Sequence, residues 1–569
     1  MTDFSPKRRD SSSTVTNNTA SKSQQDLHNE ATTYPLPLLL TDDVEAHQES
    51  AGEVTRVATN DRPYTTFTGR QKAILVLIST LGACFSHFTA NIYFPAIDTI
   101  SRALRVSVSE VNLTITTYLI FQGIAPSFIS AIADEYGRRP AYVVGFTIYM
   151  LANLGLGLNN SYAGLLVLRC IQSCGCSGLV SLNQGTVADI ITSAERGKYI
   201  SITSIATILA PSVAPIAGGL LADHLGWHSI FWFLLILSGI YFIPLLLFFP
   251  ETARKIVGDG SIDPPKWNRC LTDLLRERKA QKDMEKIEPT NQQPPSNPDS
   301  NNHPHKTRFN PLATLSILAD PETALLLTTS GILYATFYAL STSLTVQFHF
   351  IYNLSTTQQG LLFLPQALGT IFAAIFNTHA IDARYRVHAA RSGIPVDRHK
   401  QIDILSTSMP IERARLEIAV PMMTICYIAT IIYGWLLHAR VHIAGPITML
   451  FIIGFTALSS FSVLSVLIID LHRSRAATAG AANILVRCLL GAGSSAVVGP
   501  VIGGIGLGWC FTLVGGIGLV SLPLLGVCVV RGVGMRGRRR EREGARAKLR
   551  EEKVRRTEQA RGENECKKG

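Results

Sequence analysis

Charge is what this sequence has little of. Of its 569 residues only 16% are Asp, Glu, Lys or Arg, against about a quarter in ordinary soluble domains. The scarcity is local: 70 of the 93 charged residues fall in 1–70, 251–318, 379–415 and 531–569, leaving 23 for the other 355 positions. A stretch of that length with so few charges cannot present a water-soluble surface, which excludes a soluble enzyme. At about 30 residues per crossing and connection it holds twelve membrane spans. The first 70 residues are not expected to hold a cleavable apolar leader. The first 70 residues, with 7 basic and 10 acidic groups and much Ser, Thr and Asn, are expected to be a disordered cytosolic arm. No disulfide framework is indicated, because the ten cysteines are scattered through mostly apolar runs as small hydrophobes. Cys170, Cys174 and Cys176 lack His or acidic partners, so no metal and no other cofactor is expected.

What is there is long apolar runs, near 72–96, 111–133, 141–158, 163–190, 198–222 and 227–249, then near 322–346, 358–378, 416–437, 441–470, 476–503 and 505–530. The expected fold is an all-α integral membrane protein of twelve helices in two six-helix halves, 71–250 and 319–530. A polar cytosolic linker, 251–318, joins the halves, and 379–415 is a long cytosolic loop. Thirteen Lys and Arg of the short connections fall on the side of the chain termini, including Arg138, Arg139, Arg196, Arg473 and Arg475. Only Arg102, Arg105 and Arg440 fall opposite. The excess predicts cytosolic termini. Of the net charge of +11, the tail 531–569 carries +8. Placed just after a span, that cluster suits anionic lipid headgroups rather than nucleic acid, and no nucleic-acid partner is expected.

The halves also echo each other. Ala214-Pro215-Ile216-Ala217-Gly218-Gly219 is matched by Gly499-Pro500-Val501-Ile502-Gly503-Gly504, Asp189 by Asp470, and Arg196 by Arg475, at offsets of 285, 281 and 279. Near-equal offsets argue for duplication. Between the second and third runs stands Asp134-Glu135-Tyr136-Gly137-Arg138-Arg139-Pro140. Its glycine allows a tight turn, its arginines obey the positive-inside rule, and its carboxylate can meet a helix N-terminus or an arginine of the other half. With Ser130 in place of a first glycine, the segment resembles the loop signature of the major facilitator superfamily. Leu168-Arg169-Cys170-Ile171-Gln172-Ser173 resembles that superfamily's fourth-span arginine motif, and Ala210 to Gly219 resembles its exporter signature, with alanines at both leading glycine positions.

Asn91-Ile92-Tyr93-Phe94-Pro95, Asp189 with Glu195-Arg196-Gly197, Pro250-Glu251-Thr252 and Val486-Arg487-Cys488 extend the likeness. Over about residues 70–530 the chain resembles the fungal twelve-span drug:proton antiporters, the quinidine-resistance-type subgroup, and fungal citrate exporters. That resemblance implies alternating access with Asp134, Gly137, Arg138, Arg139, Glu195, Arg196, Pro215, Gly218, Gly219 and Asp470 in gating. No covalent catalysis is implied.

Two arginines, Arg169 and Arg487, lie inside spans, and no carboxylate lies comparably deep. An intramembrane cation should face a wet cavity, and such a cavity favours anionic or carbonyl-rich ligands. The alternative reading is that backbone carbonyls or glutamine hold both arginines. Gln172, Asn91, Tyr118, Gln122, Tyr334, Gln366 and Asn483 could complete the path or make ordinary interhelical bonds. For protons the candidates are His87, a side-chain type that titrates near neutrality, and Asp189. The expected activity is proton-coupled export of drugs or secondary metabolites by a monomer in the plasma membrane. A citrate-like organic-acid exporter is the alternative, and a non-transporting sensor stands third.

Overall fold

The computed structural model of the chain describes residues 65–191, 196–258, 317–391, 410–472 and 476–566, with positions 260, 262, 264, 265 and 268–271. The expected N-terminal arm up to residue 64, most of the linker and residues 392–409 of the long loop lie outside the described residues. Residues from Pro63 onward form one unit.

Among the described residues that unit has twelve long helices: α1 Gly69–Asn91, α2 Val108–Tyr136, α3 Arg138–Leu158, α4 Tyr162–Ile190, α5 Arg196–Leu225, α6 His228–Phe248, α7 Pro321–Tyr352, α8 Phe363–Arg391, α9 Ile411–His438, α10 Ala444–Leu471, α11 Ala476–Ile505 and α12 Leu507–Cys566. Eleven carry an apolar window long enough to cross a bilayer. In α5, the twelfth, the described apolar stretch is the shorter Val213–Leu225. Two short helices, Ile97–Leu104 and Thr356–Leu361, follow α1 and precede α8.

Local chemistry sets the starts and stops. Thr68 with Gln71, Ser107 with Glu110 and Ser355 with Gln358 form reciprocal capping boxes, which satisfy amide donors that a helix start leaves free. Gly137 ends α2 and opens α3 at φ +110°, a conformation that side chains resist. In α6, Ile236, Ile240 and Ile243 point outward at 60–66% exposure, while Ile230, Phe231, Leu234 and Ser238 are buried. An apolar stripe on the outward face inverts the soluble pattern and fits contact with lipid.

Short turns make successive helices antiparallel, so the start of α1, the α2–α3 turn and the point where α12 leaves the bundle share one face, termed the terminal face. The opposite one is the far face. In the first half α2 packs on α4, α3 on α4, α1 on α5 and α3 on α6. In the second, α8 packs on α10, α9 on α10, α7 on α11 and α9 on α12. Adding six to each label converts one list into the other. The contacts joining the halves, α2 with α11 and α5 with α8, obey the same rule. Duplication inferred from three short motifs therefore extends to the pairwise packing of the bundle.

Three boundaries differ from expectation. Helix α8 runs on through residues 379–391, and α9 begins at Ile411, so both ends of the expected long loop are helical. Charged residues there belong to helix that has left the apolar layer. Beyond the apolar part of α12 the helix continues to Cys566, 60 residues in all, about 90 Å at 1.5 Å per residue.

Candidate substrate path and gates

Arg169 on α4 is fully buried, whereas the sequence placed it on a wet cavity. Its guanidinium lies 4.2 Å from the ring centre of Tyr93 and 4.4 Å from that of Tyr118. Nη1 donates to Gln172 Oε1 at 2.7 Å, Gln172 Nε2 donates to Asn153 Oδ1 at 2.8 Å, and Asn153 Nδ2 donates to the Tyr149 carbonyl. Nε and Nη2 have no hydrogen-bond partner. Two aromatic faces take the place of a counter-ion, a cation–π arrangement whose value rises with desolvation.

Arg487 on α11 repeats the arrangement in the other half, 4.4 Å from the Tyr334 ring centre and 4.6 Å from that of Phe461. It is only half-buried, and its Nε is unpartnered. Among the described residues no carboxylate contacts either guanidinium.

Other expected path residues fall between or beside these two. Gln122 is buried where α2 meets α11, its Nε2 3.4 Å from Ser86 Oγ and its Oε1 3.9 Å from Cys488 Sγ. Asn483 takes a bond from Ser330 and reaches Ser465, so it ties α7, α10 and α11 together. Asn91 donates to the His87 carbonyl. The Tyr334 hydroxyl meets that of Tyr338 at 3.4 Å. Gln366 is buried with Nε2 unpartnered, as is Nδ1 of His87. His87 lies within electrostatic reach of Arg487 across the halves.

On the terminal face each half carries an ion pair. Arg138, at the start of α3, reaches Asp189 Oδ2 at 2.9 Å and Asp134 Oδ1 at 3.0 Å. Asp134 thus bonds within its own half. Arg415 on α9 reaches Asp470 Oδ2 at 3.2 Å and the Ile381 carbonyl at 3.3 Å. The two pairs occupy equivalent places, since α9 is α3 plus six and α10 is α4 plus six. Arg415 escaped sequence reading because it stands 55 positions from its partner.

Glu251 was quoted only as part of a motif, yet it carries the α3–α6 joint. Its carboxylate is 2% exposed and accepts from the backbone amides of Arg138, Arg139, Thr252 and Ala253 and from Asn268 Nδ2 at 2.5–3.2 Å. Arg139 adds a bond from Nη2 to the Leu246 carbonyl. Gly137 has to be glycine twice over, since a Cβ there would also run into the Glu251 carboxylate. Ser130 donates to Ser181 at 2.9 Å, and the close α2–α4 approach is made by Gly178 against Ile129. Glu195, the Arg196 side chain, Arg473 and Arg475 lie outside the described residues.

The far face joins the halves closely. A Cβ on Gly219 would sit 2.6 Å from the Thr356 carbonyl, and one on Gly360 2.6 Å from that of Pro215. Gly218 packs on the Ile92 carbonyl. Asp223 accepts from Thr357 Oγ1 at 2.7 Å, Thr345 donates to the Phe94 carbonyl at 3.1 Å, and the Phe94 and Phe363 rings stack at 6.0 Å. Thr116 donates to the Ala492 carbonyl at 3.3 Å. Among the described residues, the hydrogen bonds and ion pairs that cross between halves lie from mid-bundle to the far face. Chemically the arrangement can close one end of a path, hold two cations against aromatic faces, and leave polar groups free for a ligand.

Comparison with known proteins agrees with this geometry. Residues 79–494 match the family model described as Major Facilitator Superfamily. The MFS-type transporter phiD of a fungal species is 41% identical over 504 residues, covering 89% of this chain and 75% of that protein. The MFS-type transporter tstD of Talaromyces stipitatus is 40% identical, over 82% of this chain and 83% of its own. Citrate exporter 1 of Aspergillus niger is 33% identical, over 85% and 90%. Among solved structures, the xylose transporter XylE from E. coli, in a partially occluded inward-open conformation, aligns with a TM-score of 0.52 at 12% identity, covering 80% of this chain and 98% of that one.

Proposed function

The chain belongs to the Major Facilitator Superfamily, a family of membrane transporters and not of enzymes, and from that premise we propose that it exports small organic molecules, drugs or secondary metabolites, in exchange for inward protons. The site is the plasma membrane and the working unit a monomer with cytosolic termini, as the positive-inside count suggests. The halves 71–250 and 319–530 rock about a central path, and on this reading the closed far face is the exterior gate. Arg487, Gln122, Asn483, Tyr334, Gln366 and Asn91 line the path, with Arg169, Gln172 and Tyr118 behind it. His87 and Asp189 carry protons, and Asp134, Arg138, Asp470 and the Pro215–Gly219 stretch gate it. The basic helix beyond α12 meets anionic headgroups where it leaves the bilayer.

One observation carries the substrate class: each half seats an arginine between two aromatic rings with no carboxylate of the described residues in contact. A cation without a counter-ion, in low dielectric, favours a ligand that brings negative charge or carbonyl oxygens. The same observation, with a 33%-identical relative named as a citrate exporter, supports the narrower reading of organic-acid export. The test is efflux from cells expressing the protein, comparing labelled citrate and a cationic drug at two external pH values. Citrate efflux alone supports the anion path. Drug efflux that strengthens in external acid supports multidrug antiport and removes the charge argument.

A further inference from the structure

On the far face, one cluster joining the halves contains a histidine with a partner at each ring nitrogen. Arg102 sits in the short helix Ile97–Leu104 of the first half, and His349 in the last turn of α7 in the second. Arg102 Nη2 stands 2.7 Å from His349 Nε2 and 2.7 Å from Asp98 Oδ2, and Asp98 Oδ2 is 3.9 Å from the same imidazole nitrogen. The other ring nitrogen, Nδ1, is 3.0 Å from the Leu354 carbonyl.

These partners assign the proton. A guanidinium nitrogen only donates, so Nε2 must accept, and the single ring proton sits on Nδ1 facing Leu354. The latch therefore exists only with a neutral imidazole. Adding a proton at Nε2 sets N–H against N–H and cation against cation at 2.7 Å. Arg102, with its side chain 65% exposed, is free to leave. Asp98 and Arg102 are the charged side chains in contact with the ring. Nearby, Gln359 also donates to the Leu354 carbonyl, Asp223 of α5 is bound to Thr357, and Arg440 and His442 belong to the α9–α10 turn that Tyr352 reaches at Val441.

We propose that His349 is a proton-binding site that unlatches the far face, a reading that rests on the proton-coupled export proposed above. The closed far face excludes the proton, and by reciprocity the proton disfavours the closed far face. If that face is exterior, external acid opens the path to the side where protons are taken up.

Pulsed electron paramagnetic resonance on the full chain in lipid nanodiscs tests this. Spin labels are introduced orthogonally to the native cysteines at Leu158 and Ile505, exposed far-face ends of α3 and α11. Without substrate or gradient, going from pH 8 to pH 5 should raise the long-distance population at least threefold. One proton caps the response at about tenfold per pH unit. His349→Gln, which keeps an acceptor for Arg102 at every pH, should be flat. Arg102→Gln should be flat or reversed, because Asp98 alone then faces the imidazolium. The proposal is overturned by an unchanged acid response in either variant, or by acid shortening the wild-type distance through capture of the imidazolium by Asp98. Since the readout needs no export, a failure of this proposal and a failure of the export reading are distinguishable.

Discussion

Replacing Glu251 by Gln should loosen the first half far more than its exposure to sequence scrutiny would suggest. Glu251 Oε1 accepts three backbone amides and Oε2 accepts Arg139 N–H and Asn268 Nδ2. Glutamine can keep the triple acceptor. Asn268 can then turn its amide, because its Oδ1 is unpartnered, and accept from the new NH2. The Arg139 amide is left facing a donor, which costs about 1–3 kcal/mol for a buried orphan. Loss of charge weakens the three retained bonds and removes the favourable interaction with the α3 N-terminus, adding about 2 kcal/mol. A total of about 3–5 kcal/mol corresponds to a fall of roughly 6–20 °C in melting temperature if a half of this size unfolds as a unit. The assay is thermal unfolding of the detergent-purified full chain, read by loss of the monodisperse peak. A double cycle of Gly137→Ala with Glu251→Ala should show coupling of about 1 kcal/mol or more, since the added methyl collides with the carboxylate that the second substitution removes. A Glu251→Gln protein melting within about 2 °C of the parent, with additive behaviour in the cycle, refutes the assignment of Glu251 as the α3–α6 clasp.

Two further outcomes follow from the site geometry. Arg487→Lys keeps the charge but loses the planar contact with Tyr334 and Phe461. At about 0.5–1 kcal/mol for each of the two contacts of this half-buried cation, export should slow roughly 5- to 30-fold at unchanged surface expression. Normal flux in both Arg487→Lys and Arg487→Ala would remove Arg487 from the path. Gly219→Val or Gly360→Val pushes a side chain into backbone at the α5 and Thr356–Leu361 contact and should hold the far face apart. The spin-label pair at Leu158 and Ile505 should then report mainly the long distance at pH 8, and an unchanged distance distribution would show that this contact does not close the face.

How much of this was legible depended on how local the signal was. Twelve spans followed from the scarcity of charge, because a lipid-facing stretch leaves no choice of composition. The α8 extension did not, since Arg384, Arg386 and Arg391 look like loop charges until Glu417 on α9 is seen 3.6 Å from Arg384. Arg169 was legible as a buried cation, but nothing in its own helix says that Tyr93 and Tyr118 would flank it. Partners from other helices are written nowhere in a periodicity.

The same limit explains which part of the duplication could be read. Asp189 and Asp470 match as letters, and so their arginines, Arg138 and Arg415, can be found at equivalent starts of α3 and α9 once the fold is known. The neighbouring joint does not match as letters at all. In the first half a carboxylate at the end of α6, Glu251, meets amide donors at the start of α3. In the second, an arginine on α12, Arg536, meets a carboxylate at the start of α9, Glu412, at 3.0 Å. Helix α12 is α6 plus six, so the joint is retained with its polarity exchanged. What the two halves preserve there is a buried anion held against positively polarised groups, an energetic requirement that either helix can meet. A search for repeated residues finds the joints whose charges stayed in place and misses the one whose charges changed sides.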